Sequence, residues 1–296
     1  MIDLRLETFL DLCETRSYTR TAKHLHITQP AVSQHIKFLE NQYGARLFSY
    51  RAKVLSLTEK GRLLEQYALA LRANSQRMHE VMRAPSLADR RLHFGATLTV
   101  GEYVMPSILC RCLAENPKLS VTMEVGNTST LFRKLNHGAI DFAIIEGSFS
   151  KVEYGWRLLS EEPFIGVCSP RSPLAGRPVR FDELVGQNLI LREQGSGTRQ
   201  ALEHSLGTHS LQLENFPALY EIGNFQAIKA MVAENLGITF LYERVVRREL
   251  EVGQLQKIDL AGFQENREFH FVYLHDHVMK EEFLKFFTFC RTCLEE

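Results

Sequence analysis

The stretch SYTRTAKHLHITQPAVSQHIKFLENQYG, residues 17–44, constrains this chain more than any other. It reads as two short helices joined by a tight turn. In the second, Val32, Ile36, Leu39 and Tyr43 recur at helical spacing and predict a core-facing stripe. Gln29, Ser33 and Lys37 fall four residues apart on a different stripe, with Gln34 beside them. Thr28 is placed to cap that helix, and Pro30 lies in its first turn, where a missing N–H costs nothing. Amide and hydroxyl groups in the first two turns suit a DNA major groove. There Gln pairs with base edges, while Lys and Ser hold phosphates. The same residue types are common on solvated helix faces, so the stripe alone does not decide. Its context favours DNA: Ser17 or Thr19 can cap a first helix, Ala22 is small enough for close helix crossing, and Leu25 and Ile27 flank the turn as anchors. The expectation is a helix-turn-helix.

The flanking segments extend the same reading. Leu4 to Arg16 is amphipathic, with Leu6, Phe9, Leu10 and Cys13 on one side and Cys13 as a small core hydrophobe. Phe48 to Leu57 reads as a hairpin wing whose Arg51 and Lys53 would meet backbone phosphates. Thr58 caps a helix that runs to about Ala84, roughly 40 Å at 1.5 Å per residue. Its seam of Leu63, Leu64, Tyr67, Ala70, Leu71, Met78 and Val81 is wider than a wing domain can bury. Pairing with a second copy is one reading, and packing on the chain's own second domain is the other. A reader of two-fold DNA sites needs two recognition helices at fixed separation, which favours the first. Residues 85–91, PSLADRR, read as a hinge.

Residues 1–60 resemble the winged helix-turn-helix of LysR-type transcriptional regulators. LETFLDLCETRSYTRTAKHLHITQPAVSQHIKFLE and the later LF…LSLTEKG carry the likeness. Departures from the family pattern are Thr21 for a second Ala, Gln34-His35 for an Arg-Gln pair, Tyr50 for an Arg with Arg51 one step later, and Ala52 for a turn Gly. The resemblance implies an N-terminal all-α winged helix-turn-helix, a long linker helix and a two-lobed periplasmic-binding-protein-like α/β effector domain. It also implies a homodimer through the linker helix, homotetramers of such dimers, and a role in transcription compatible with RNA polymerase contact. Thr19, Thr28, Gln29, Pro30, Ser33, Gln34, Lys37, Arg51 and Lys53 are the candidate contacts to double-stranded DNA with a two-fold operator.

Charge is divided along the chain in the same sense. The 296 residues carry zero formal charge, but residues 1–91 hold 15 Lys+Arg against 9 Asp+Glu and the remainder 20 against 26. A basic front and an acidic rear fit a DNA reader joined to a module that does not touch DNA. No apolar run approaches membrane-spanning length and no basic-then-apolar leader opens the chain, so a cytoplasmic protein with no membrane partner is expected. Six cysteines at this length do not make a disulfide framework.

From residue 92 onward short apolar runs alternate with helical stretches, an α/β pattern. LHFGAT, VTMEVG, IDFAIIEG, FIGVCSP, NLILRE, ALYEIG, GITFLY and FHFVYL read as strands. Glu161–Phe164 and Phe263–Phe269 are expected to carry the chain between lobes. The expected organisation is 1–58 for DNA binding, 59–91 for the linker helix and hinge, 92–163 with 268–296 for the first lobe, and 164–267 for the second.

In open α/β sheets ligands sit beyond the carboxyl ends of strands, often at helix N-termini. Thr97, Leu98 and Thr99 follow the first of these strands, and Asn127, Thr128 and Ser129 the second. Gly195, Ser196, Gly197 and Thr198 open a helix after NLILRE, and Asn224 and Phe225 open another after ALYEIG. Together they are the candidate effector site for a small-molecule co-inducer; no cofactor is expected. REQGSGTR offers close backbone approach, free amides and flanking Arg192 and Arg199, which suits an anion. This stretch resembles LysR members that regulate sulfur or carbon assimilation, whose effectors are often small anions. Glu146 either faces that cleft and opposes an anion, or pairs with Arg192, or lies outside.

Cys290-x-x-Cys293, with His275 and His277 upstream, invites a metal or redox reading. The surrounding Phe283, Leu284, Phe286, Phe287 and Phe289 favour core packing instead, and no metal site is expected. Cys110 and Cys112 point to different helix faces. No nucleophile elbow, P-loop or HExxH pattern occurs, and no His or acid is tied by spacing to Ser196, so no catalytic residue is assigned. The competing reading is a two-lobed small-molecule-binding protein or enzyme with an incidental N-terminal helical module.

Overall fold

The computed structural model describes residues 2–51, 54–83, 91–275, 277 and 279–295. They form two compact units, residues 1–90 with 133–140, and residues 91–132 with 141–296. The first unit opens with α1 (Leu4–Thr15), α2 (Tyr18–His24) and α3 (Gln29–Tyr43), then the hairpin β1 (Phe48–Arg51) and β2 (Val54–Leu57), then α4 (Glu59–Arg83).

Local chemistry sets these boundaries. The Ser17 hydroxyl accepts from the Arg20 amide to start α2, and the Thr28 hydroxyl accepts from the Ala31 amide to start α3. Gly44 ends α3 in the left-handed region at φ +62°. Phe9, Leu12, Ile36 and Leu39 are buried in the small core these helices share with the wing, and Val32 is buried as well. Tyr43, expected on the core stripe, is half exposed. It is the last residue of α3, next to the terminating Gly44.

Thr58 fastens the wing to α4. Its hydroxyl donates to the Arg46 carbonyl at 2.6 Å and accepts from the Gly61 amide at 2.9 Å. Gly61 is needed there, because a Cβ would stand 2.1 Å from the Leu47 carbonyl oxygen. Along α4, Ala68 is buried against α1, whereas Leu63, Tyr67, Leu71 and Met78 are exposed by 46%, 65%, 53% and 55%. The expected seam is therefore largely uncovered. The side chains of Arg51 and Val81, all of Lys53, and hinge residues 85–90 lie outside the described residues.

After α4 the chain forms β3 (Arg91–Thr97), α5 (Leu98–Tyr103), α6 (Met105–Glu115), β4 (Ser120–Gly126), α7 (Thr128–Asn136), β5 (Phe142–Glu146) and β6 (Gly155–Cys168). It continues through β7 (Pro178–Val179), β8 (Leu189–Leu191), α8 (Gly197–Thr208), β9 (Leu219–Glu221), α9 (Phe225–Ala233) and β10 (Thr239–Tyr242). It closes with α10 (Glu243–Glu251), β11 (Gln256–Lys257), β12 (Asp259–Leu260), β13 (Glu265–Tyr273) and α11 (Lys280–Glu295).

The main sheet has the order β10-β6-β13-β5-β3-β4, with β11 also on β6. β3 is parallel to β4 and β5, and β13 is antiparallel to β5 and β6. The 14-residue β6 passes unbroken through Glu161–Phe164, with β13 alongside it from Glu265. The stretches expected to carry the chain between lobes thus lie in paired strands. A parallel pair β8–β9 and a short parallel pair β7–β12 build the second lobe. One hydrophobic core runs through both lobes. It includes Phe142 stacked between Phe94 and Phe271, at centroid distances of 5.0 and 4.4 Å.

Candidate functional site

In the helix-turn-helix, burying Val32, Ile36 and Leu39 leaves Gln29, Gln34 and Lys37 exposed and Ser33 half buried. The Gln29 amide donates to the Ser33 hydroxyl at 3.1 Å, so the expected polar edge is one connected surface. Thr19 and Pro30 are exposed on the same two helices, and Thr28 is held as the cap. His35 turns inward instead. Its Nδ1 lies 2.9 Å from the Thr8 hydroxyl, whose own proton goes to the Leu4 carbonyl at 2.8 Å. The hydroxyl must then accept, so His35 carries its proton on Nδ1. Thr21 is fully buried with its hydroxyl 2.6 Å from that of Thr15. The chain's departures at 21 and 35 are thus internal fittings between α1, α2 and α3.

The second site is built around a carboxylate. All five residues of β5 are buried, and strand alternation puts Glu146 on the face that carries Phe142 and Ile144 into the core. A charge there needs partners. Thr97 at the end of β3 donates to Oε2 of Glu146, and Thr99 in α5 donates to Oε1 at 2.9 Å. Thr198, from the start of α8 in the other lobe, lies 3.4 Å from both Oε1 and the Thr99 hydroxyl. Thr128 donates to the Glu146 backbone carbonyl at 3.1 Å. Burial pushes the Glu146 carboxyl above its ordinary range, with the Thr97 and Thr99 hydroxyls and Arg192 acting in the opposite direction. Burial likewise raises the Tyr242 phenol, and the nearby Glu146 charge adds to it.

Three of the four segments expected to line a cleft, at Thr97–Thr99, Thr128 and Gly197–Thr198, therefore meet, and they meet on a protein carboxylate. The glycines of the GSG turn serve that convergence. A Cβ on Gly197 would stand 2.5 Å from the Glu146 carbonyl oxygen, and Gly195 adopts φ +87° beside Ser129 and Asn127. Ser196 caps α8 by accepting from the Arg199 amide, and Asn224 caps α9 by accepting from the Ala227 amide at 2.9 Å. Asn127 accepts from the Thr130 amide and the Ser129 hydroxyl. Leu98 packs on the core, and Phe225 is fully buried.

The arginines are less free than their spacing suggested. Arg199 holds Glu203 at 2.8 Å and Glu221 at 2.5 Å. Arg192 grips Glu193 through two bonds of 2.7 and 2.8 Å and stacks 4.4 Å over the Phe225 ring. Its NH1 is buried without a partner among the described residues. This atom is a donor waiting for an acceptor. Nothing in the sequence marks it, because the pairing with Glu193 is a matter of rotamer. Cys290 is buried on α11 with Cys293 half buried, and burial raises the Cys290 thiol. Among the described residues no group of three or more His, Cys, Asp or Glu side chains could hold a metal.

Residues 4–62 match the bacterial regulatory helix-turn-helix of the lysR family, and residues 85–294 match the LysR substrate binding domain. The chain belongs to the LysR family of transcriptional regulators. An Escherichia coli K12 relative described as an uncharacterized HTH-type transcriptional regulator, YeiE, is 33% identical over 86% of this chain and 85% of its own length. The HTH-type transcriptional regulator CysL of Bacillus subtilis is 27% identical over 93% of this chain and 91% of itself. Among solved structures, a full-length OxyR variant from Pseudomonas aeruginosa shares the fold at TM-score 0.69 and 22% identity, covering 99% of this chain and 96% of that one. The regulatory domain of Synechocystis CcmR, solved in complex with 2-PG, aligns at TM-score 0.60 and 23% identity, covering 67% of this chain and 95% of that one. This member of the LysR family is thus a DNA-binding transcription regulator with an effector-binding domain, not an enzyme. None of its described helices is long and apolar enough to cross a membrane.

Glu146 sets a pH signature on stability. Its native carboxyl titrates above the ordinary value of 4.5, so the folded chain holds a proton that the unfolded chain releases. Stability from this group is complete below that value and is lost as pH rises through the native pKa. Glu146→Gln stays neutral at every pH. Its melting temperature should match the parent near pH 4.5 and exceed it increasingly as pH rises. A difference that stays flat with pH would show a carboxylate whose burial is fully compensated.

Proposed function

We propose that this regulator reads its operator with Gln29, Ser33, Gln34 and Lys37, works as at least a dimer through α4, and responds to a small anionic effector at Glu146. The observation that carries the reading is the capped polar edge of α3, exposed while its opposite face is buried. Its amides can pair with base edges, and Lys37 with a phosphate. Reading a two-fold site then calls for two copies. Leu63, Tyr67, Leu71 and Met78 recur about every fourth or seventh residue along α4, an exposed apolar stripe of the kind a twin helix covers. Assembly to tetramers, RNA polymerase contact and a cytoplasmic location fit the same role.

The effector reading rests on three features: hydroxyls from both lobes on one point, the start of α8 beside them, and the unpartnered Arg192 NH1. This set is donor-rich and suits an oxyanion or carboxylate. Glu146 already occupies it, so an incoming anion must displace or neutralise that side chain. The 2-PG found in the CcmR regulatory domain is one anion of this general kind, seen in that protein. Binding energy that differs between arrangements of the lobes would shift how the DNA-binding domains are spaced.

Three measurements test these parts separately. In fluorescence anisotropy on upstream DNA, a Ser33→Ala, Gln34→Ala variant should lose roughly tenfold to a hundredfold in specific affinity, with an unchanged melting temperature. Undiminished binding overturns the recognition assignment. Leu71→Glu should shift the sedimentation profile toward monomer, and an unaltered profile removes α4 as the pairing surface. In a thermal-shift screen of sulfite, sulfate, phosphosugars and carboxylates, at least one anion should raise the melting temperature, more strongly in Glu146→Gln and less in Thr198→Val. An anion that stabilises the parent but not Glu146→Gln would contradict competition at this carboxylate.

A further inference from the structure

Where β6 begins and β13 ends, a concavity of about 410 Å³ opens that shares no residue with the Glu146 cluster. Gly155 pairs with Tyr273 across the two strands, and a Cβ on Gly155 would stand 2.4 Å from the Tyr273 ring. The missing side chain lets that ring lie against the strand, where it lines the cavity. Trp156 and Tyr154 add two further aromatic surfaces. Lys151, Arg157 and Lys280 also line it, and among the described residues no carboxylate does.

We propose that this concavity is a second small-molecule site, for a planar ring bearing a carboxylate or a phosphate. Its cations are placed for an anion. Arg157 donates to the Trp156 backbone carbonyl at 2.9 Å, and among the described residues neither it nor Lys280 is paired with a carboxylate. Lys280 stands 5.8 Å from the Tyr273 ring centre and Lys151 stands 4.3 Å from that of Trp156. Lys151 is tethered by Glu268 at 3.1 Å, which leaves its other N–H groups available. Trp156 supplies a half-exposed ring beside the buried Tyr154 and Tyr273, and flanking ammonium and guanidinium groups supply charge, so a flat anion satisfies both at once. The volume falls in the range of small-molecule sites, roughly 300–1,000 Å³. Nine residues of β13 paired with β6 give the site a rigid frame.

Trp156 is the only tryptophan in the chain, so its emission reports on this cavity alone. Full-length protein is titrated with phenylacetate and with adenosine monophosphate, and separately with the uncharged phenylacetamide and adenosine. A saturable change with phenylacetate, with the nucleotide or with both supports the site and tells aromatic acids from nucleotides. The uncharged analogues should bind on the order of tenfold to a hundredfold more weakly, as should an Arg157→Ala, Lys280→Ala variant toward the acids. Arg157→Lys should restore part of the loss, and Thr198→Val, a change in the separate Glu146 cluster, should leave the titration unchanged. Equal binding of charged and uncharged probes overturns the proposal, as does unaltered binding by the double variant. So does the absence of any saturable change in a parent protein with a normal melting profile.

Discussion

The effector domain depends on one buried carboxylate and on what is done about it. Moving an unpaired charge into a core costs several kcal/mol, so a chain keeps one there only with compensation in place. Glu146 receives hydroxyl donors from Thr97 and Thr99 on one lobe and from Thr198 on the other. Its own backbone carbonyl is held by Thr128 and closely approached by Gly197. Solvating this one group therefore requires parting the lobes, and closing them requires its partners in register. The carboxyl and the fit of the two lobes meet at the Thr198 hydroxyl and at Gly197.

The DNA-binding end uses the opposite allocation of polar groups. There the apolar stripe of α3 is spent on the core, and amides and an ammonium are left facing water. Two polar residues turned inward, Thr21 and His35, are each given a hydrogen-bonding partner on α1. Thr21 shares its hydroxyl with Thr15, and His35 donates to Thr8, which passes its own proton to a carbonyl. Buried hydrogen bonds of this kind fix how α1, α2 and α3 cross, and that crossing decides which edge of α3 is presented.

What was legible in the sequence was what is local. The caps at Thr28 and Thr58 and the apolar period of α3 depend on neighbours within a few residues and appear as expected, and of Ser17 and Thr19 it is Ser17 that caps α2. In α3 the period misleads at Tyr43, the last residue of the helix, which is half exposed. The strands most readable were the apolar ones. The first half of β6, GWRLLSEE, was not among them, because it borrows its hydrophobic face from β13 and so shows a weak pattern of its own. Site residues followed the same division. Topology places loops at the carboxyl ends of strands, and three of these loops meet at Glu146. What they meet on was not legible. The role of Glu146 depends on the register of β5 against β3 and β13 and on threonines about 50 residues to either side. The acids that occupy Arg192 and Arg199 are likewise set by rotamers and by folding.

The shared strands also limit how the two lobes can answer a ligand. β6 is a single strand from the first lobe to the second, β13 returns beside it, and one core runs through both. Gly197 meets Glu146 with no room for even a methyl group, so α8 cannot slide across β5 without first moving away from it. A close-packed interior of this kind has discrete fits rather than a continuum. Small rearrangements at the Glu146 hydroxyls are then either absorbed locally or passed through the paired strands as a change of lobe orientation. The bulge between Phe269 and His270 is where β13 departs from regular pairing with β6. A bulge of this kind bends the strand that carries it and strengthens the local twist.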